Sequence, residues 1–232
     1  MSYQVRSRRR GAVVGSIVGL AFAVTLMAVP VNATVSTRVD IPNQVVESEP
    51  SFAWVGSGVI NADVTPGESD QSFEFTITNE GRIAGQVAMY PLDGNVDDFS
   101  DAVLDNTRVR VIFGGHQNHN REATVTLREF LTTAFVPGGA NFTLTKDQTM
   151  PVRIIFTPPA DISGFDADDL GTFSSTFTMG VMASATTGDI SPLFAYATSE
   201  GKFIGASDWE GLWTIPVSEV ETAVESGLSA NG

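Results

Sequence analysis

The chain has two histidines, His116 and His119, three residues apart in the run Gly114-Gly115-His116-Gln117-Asn118-His119-Asn120. Two imidazoles at that spacing can share one divalent metal from a loop, and zinc chemistry is what such a pair would support. A zinc site needs further protein ligands. No glutamate follows His116 as the HExxH arrangement requires, and the chain has no cysteine. The pair is therefore read as part of a polar loop. Oxygen ligands are more plentiful. Asp93, Asn95 and Asp97 occupy positions one, three and five of a calcium loop, but position six is Asp98 where glycine is needed and position twelve is Leu104 where a bidentate glutamate belongs. A second acidic run contains Asp166 and Asp168. Calcium at either place is expected to be weak and dispensable, and no obligatory cofactor is expected.

Nucleophilic catalysis finds no better support. The sequence has no GxSxG elbow, and a Ser–His–Asp triad would have to draw its base from the single loop that holds both histidines. Trp54, Trp209 and Trp213 could stack on sugar rings, although tryptophans more commonly serve as partly buried anchors. No enzyme is expected from these residues.

The first 33 residues read as an export signal. Arg6, Arg8, Arg9 and Arg10 form a basic start, residues 11–31 are uncharged and mostly apolar, and Pro30 precedes the small-residue pattern Val31-Asn32-Ala33. Cleavage after Ala33 is expected. The competing reading is an uncleaved anchor, because the apolar run approaches the ~20 residues that span a bilayer. Four of the 13 basic residues and none of the 27 acidic ones lie in this leader, so the remainder carries a net charge of −18. Nucleic acid and anionic membrane surfaces both require basic patches, and this balance excludes them as partners. An exported domain without cysteine points to a prokaryotic, extracellular protein.

The rest of the chain is organised by period-two alternation, the mark of strands with one buried face. Val35, Thr37, Val39 and Ile41 alternate with polar residues, as do Phe73, Phe75 and Ile77, then Val109, Val111 and Phe113, then Val152, Ile154 and Phe156, and finally Phe173 to Val181. Weaker strands are expected at 52–55, 58–64, 86–92, 122–127, 141–145 and 192–198. Turn signals separate them at Thr65-Pro66-Gly67, Asn79-Glu80-Gly81, Pro137-Gly138-Gly139 and Pro158-Pro159. The pattern predicts an all-β fold, an antiparallel jelly-roll or Ig-like β-sandwich with one or two short helices. One helix is signalled by the capping box that opens at Thr126 with Glu129, and another by Pro216 ahead of Val217, Val220 and Val224. The expected organisation is a leader at 1–33, an N-terminal strand and linker at 34–50, a sandwich at 51–198 and a C-terminal extension at 199–232.

The stretch from Val59 to Ala185 resembles the TasA/camelysin-type jelly rolls exported by Gram-positive bacteria and archaea. The resemblance lies in Val64-Thr65-Pro66-Gly67-Glu68 running into Phe73-Glu74-Phe75-Thr76-Ile77-Thr78-Asn79-Glu80-Gly81. A later echo runs from Leu144 to Pro158, and a hydroxyl-rich strand follows from Thr172 to Ala185. It implies a jelly-roll sandwich and an extracellular role, often as a matrix or fibre subunit. Some relatives have been described as proteases, but the missing zinc motif gives that activity no residues here. Residues 186–232 have no counterpart in the resemblance.

Function at this stage is an expectation drawn from architecture. The first reading is a secreted, non-enzymatic structural protein, a fibre or matrix subunit whose partners are copies of itself or other surface proteins. Its assembly strand would carry Val35, Thr37, Val39 and Ile41, because an amphipathic strand on a linker can pair with its own sheet or reach into a neighbour. The alternative is a monomeric extracellular binding module for a surface protein or a glycan.

Overall fold

The computed structural model describes residues 34–41, 53–79, 84–92, 94–115, 119–138, 142–161, 163–166, 171–185, 191–205 and 210–219. The strands are β1 (Thr34–Ile41), β2 (Ala53–Asp63), β3 (Gln71–Asn79), β4 (Gly85–Pro91), β5 (Arg108–Gly114), β6 (Asn120–Thr126), β7 (Thr133–Val136), β8 (Thr149–Thr157), β9 (Ser174–Ala185), β10 (Lys202–Ile204) and β11 (Leu212–Pro216). They are joined by helices α1 (Asp101–Asn106), α2 (Leu127–Thr132) and α3 (Pro192–Glu200).

The strands form two sheets. One is five-stranded in the order β1-β3-β8-β5-β6, and the other six-stranded in the order β10-β11-β7-β4-β9-β2. Strands β2 to β9 alone give β3-β8-β5-β6 facing β2-β9-β4-β7. This is the winding of an eight-stranded jelly roll, in which β2 pairs with β9, β3 with β8, β4 with β7 and β5 with β6. The all-β sandwich expected from the alternation is present, and the strand order makes it a jelly roll. Two additions extend it: β1 lengthens one sheet at β3, and the β10–β11 hairpin lengthens the other at β7.

Alternation explains the core. Phe73, Phe75, Ile77, Val109, Val111, Phe113, Val152, Ile154 and Phe156 turn inward from the first sheet and meet Val87, Met89, Phe135, Phe177, Met179 and Val181 from the second. At its centre the Phe156 and Phe177 rings stack 5.9 Å apart, and Phe130 of α2 meets both edge-on. Such aromatic contacts add about 0.5–1.5 kcal/mol each beyond the area they bury. Leu127, Phe130 and Leu131 of α2, with Val103 and Leu104 of α1, close one end of the sandwich. α2 follows the expected capping box, with the Thr126 hydroxyl accepting from the Glu129 N–H at 3.2 Å and the Glu129 carboxylate accepting from the Thr126 N–H at 3.1 Å.

Several expectations need correction. Residues 192–198 were expected as a strand, yet they form α3. Ser191 caps it by accepting from the Phe194 N–H at 3.1 Å, and Pro192 stands in its first turn, where a missing N–H costs nothing. The helix lays Leu193, Phe194, Tyr196 and Ala197 on the outer side of the second sheet against Ala88, Tyr90, Ala134, Val136 and Ile215. The second sheet runs on past the 51–198 interval: Leu212 joins the main core and β11 pairs with β7 and β10, so Lys202–Ile204 and Leu212–Pro216 are strands of that sheet. Of the interval 141–145, residues 142–145 are described and hold a single bridge, Leu144 to Gly85, in place of a strand. The intervals 52–55 and 58–64 join into the one strand β2, with a register shift between Val55 and Ser57. Of the helix expected after Pro216, residues 217–219 are helical, and Val220 and Val224 lie outside the described residues.

Candidate functional site

The feature that sets this jelly roll apart is how its first sheet is completed. β1 lies parallel to β3 over its whole length, from Thr34 opposite Ser72 to Ile41 opposite Asn79. The register places Val35, Thr37 and Val39 opposite Phe73, Phe75 and Ile77, whose side chains are 2%, 2% and 0% exposed. A one-residue slip would set the polar members of the strand against the core positions, so the period-two pattern fixes this register. Ile41 stands opposite Asn79, the hub of the turn below. The Asn79 side-chain amide donates to the Leu144 carbonyl at 2.7 Å, and its backbone accepts from the Asp147 N–H. β1 also runs close to β2, so it borders the two sheets where the sandwich would otherwise be open along β3 and β2. The four residues expected to act in assembly are thus brought to one edge.

Of the residues read as metal ligands, Asn95, Asp97 and Asp166 lie among the described ones. Asn95 spends its side chain on local structure: its carbonyl oxygen accepts from the Asp97 N–H at 3.1 Å, which starts a 3-10 turn over Val96–Asp98. Asn95, Asp97 and Asp166 are all exposed. Asp93 and Asp168 lie outside the described residues, as do His116 and Trp209, while His119 is exposed beside the β5–β6 turn. Among the described residues no group of three or more histidine, cysteine, aspartate or glutamate side chains is placed to hold a metal. Trp213 is half-buried and meets Phe203 edge-on at 5.4 Å, which is the anchoring role.

Two further features were not visible in the sequence. The outer face of the first sheet carries a groove of about 270 Å³ lined by Glu74, Thr76, Ile112, Gly114, Asn120, Pro151 and Arg153 among others. Arg153 pairs with Glu74 across its floor, and Gly114 leaves room for the Pro151 ring, which a β-carbon there would meet at 2.6 Å. Near the helical end, Arg128 binds Asp101 at 2.6 Å and Asp105 at 2.7 Å. The hydrogen bond from Arg128 holds the Asp105 carboxyl below its ordinary range and raises the guanidinium's own value. All three side chains are exposed, so this pairing supports local geometry more than stability.

No family model and no curated protein matches this chain. A solved structure found in comparison is Aeromonas hydrophila PliG, a periplasmic lysozyme inhibitor of g-type lysozyme. It is 9% identical, with 66% of this chain and 100% of that one covered and a TM-score of 0.23, a likeness too slight to carry fold or function. The class therefore rests on the molecule's own geometry: an all-β jelly roll whose first sheet is finished by an N-terminal strand. Among the described residues no helix is long and apolar enough to cross a membrane.

Proposed function

We propose that this chain is an exported, non-enzymatic structural protein whose copies join by exchanging β1, building a fibre or extracellular matrix. The observation that supports this reading is the parallel seating of β1 on β3, in a register that sets Val35, Thr37 and Val39 opposite buried positions, with residues 42–52 between it and β2. A strand joined through such a stretch makes the same backbone bonds in its own sheet or in a neighbour's, so exchange preserves the contact and changes only its owner. Each exchange leaves one subunit's strand free for the next, and the chain of contacts does not close. The basic, apolar leader and the resemblance to exported matrix jelly rolls agree with that setting.

The test is assembly of the purified chain lacking residues 1–33. Filaments by electron microscopy that grow with concentration, and that vanish on deleting residues 34–41 while the circular dichroism of the sandwich persists, are expected. A chain that stays monodisperse at high concentration across pH and salt would overturn the reading. The groove on the outer face of the first sheet favours a second reading, a monomeric module that binds a surface protein or glycan, and it predicts that same monodispersity together with ligand capture abolished by Arg153→Ala.

A further inference from the structure

Strand β6 is the far edge of the five-stranded sheet, opposite β1. Alternate residues of an antiparallel strand direct their N–H groups away from the paired neighbour. On β6 the outward set is Asn120, Glu122, Thr124 and Thr126, because two of these donate to acceptors outside the sheet. The Glu122 N–H donates to the Glu210 carbonyl at 2.7 Å, and the Thr126 N–H donates to the Glu129 carboxylate at 3.1 Å. Glu129 is local, but Glu210 comes from the β10–β11 hairpin, which belongs to the other sheet. The two strands of that hairpin pack tightly on each other where Glu210 stands. A β-carbon on Gly211 would strike the Phe203 ring and the Ile204 carbonyl, and one on Gly205 would strike Gly211 itself. Arg121, beside Glu122, lies 5.6 Å over the Phe142 ring. Burial pushes its guanidinium below the ordinary arginine value while the nearby Glu210 charge opposes that shift.

An edge strand with free N–H groups is a template for another chain. We infer that the β10–β11 hairpin is a latch over β6, protecting that edge from pairing with a strand of a second copy. It blunts the middle of the edge, α2 blunts one end, and Thr124 lies between the two blocked donors. If copies grow by exchanging β1, a clause that rests on the proposed function, the latch makes that growth one-sided. The latch itself does not depend on that reading.

The chain lacking residues 1–33 and carrying Gly211→Val tests it by hydrogen exchange, light scattering and thioflavin fluorescence. With the hairpin displaced, exchange at the Glu122 N–H should rise about tenfold, the worth of one lost hydrogen bond. The concentration at which oligomers appear should fall about tenfold. Adding Thr124→Pro to the same chain should return it to the wild-type threshold, because proline removes an outward donor without breaking the ladder. Arg121→Gln loosens the same contact more gently and carries the test if Gly211→Val loses its folded circular dichroism. Faster exchange at Glu122 without new oligomers, oligomers that Thr124→Pro leaves unchanged, or a Glu122 N–H that stays protected in both variants would each overturn the latch. Deleting residues 34–41 in the Gly211→Val background separates the two ideas: oligomers through β6 persist, and those made by β1 exchange are lost.

Discussion

At the scale of single residues, two buried hydroxyls carry opposite expectations. Thr107 is fully buried between α1 and β5. Its backbone is satisfied, with the N–H donating to Val103 and the carbonyl accepting from Leu127, but its hydroxyl has no partner. Ser191 is equally buried, and its hydroxyl donates to Gln86 at 2.6 Å while accepting from the Phe194 N–H at 3.1 Å. An unpaired buried polar atom costs about 1–3 kcal/mol, and a paired one costs a similar amount to orphan. Thr107→Val, which keeps the shape and removes the unmatched group, is expected to raise stability by about 1 kcal/mol. Ser191→Ala removes the cap on the first turn of α3 and leaves Gln86 Oε1 with the Ser191 N–H at 3.2 Å in place of two donors, and it should lower stability by about 1–3 kcal/mol. Thermal unfolding separates them, since a change of 1 kcal/mol moves the midpoint by about 2–4 °C in a domain of this size. Equal losses from both substitutions would show that packing, and not hydrogen bonding, governs these sites.

At the scale of elements, much of the framework was legible because one face of each strand is buried, and alternation records that directly. β3, β5 and β8 read cleanly for this reason. α3 did not, because its apolar residues lie in a short, nearly continuous run in which a strand and a buried helix look alike. The signals that would have decided it are local, a Ser191 cap followed by Pro192. α1, six residues long, is too short to show a helical period, and its one local signal is the Ser100 hydroxyl accepting from the Val103 N–H. β10 and β11 were assigned to an extension because nothing in five residues says which strand they will pair with; that is decided at a distance by β7. Of the candidate site, the strand β1 could be read from its pattern, whereas its seat on β3, the groove and the hydrogen bond from β6 to Glu210 come from register between remote segments. The seat makes a prediction at this scale. Val39 stands opposite Ile77, so Val39→Asp sets a carboxylate opposite a fully buried position and should weaken β1 docking by about 2–4 kcal/mol. Ser36 offers the control, since it stands opposite half-buried Glu74 and Ser36→Asp should be tolerated. Filament mass measured by sedimentation should fall steeply for Val39→Asp alone, and equal losses would mean that the register of β1 in the assembly differs from that on β3.

At the scale of the whole molecule, charge is the term that every association must overcome. Residues 34–232 carry a net −18, and copies that meet repel one another over a distance set by the salt, about 8 Å at 0.15 M. Strand exchange and edge pairing are both short-range and barely feel salt, so added salt lowers the barrier without weakening the bond. Acid acts through the same charge, because carboxylates titrate near pH 4 and even the whole 232-residue sequence, with its four leader arginines, has an isoelectric point of about 4.3. Acid also has an opposing effect inside each subunit. The Asp105 carboxyl is held below its ordinary value by the Arg128 hydrogen bond, and that of Asp161 by hydrogen bonds from Ser163. A group lowered in this way stabilises the fold above its unfolded pKa, near 3.8, and loses that contribution as pH falls through its folded value. Relief of repulsion therefore begins at higher pH than the loss of these contacts. Assembly should accelerate as pH falls from 7 toward about 4.5, with the fold still intact, and fail only at lower pH, where thermal stability also drops. Raising salt from low values to about 1 M at pH 7 should accelerate it in the same sense, as the Debye length shrinks to about 3 Å. Light scattering followed across pH and salt checks this. Assembly that slows with added salt would show that copies are joined by ion pairs, with the arginines of the first sheet's outer face as the place to look, and would count against a bond made by β1.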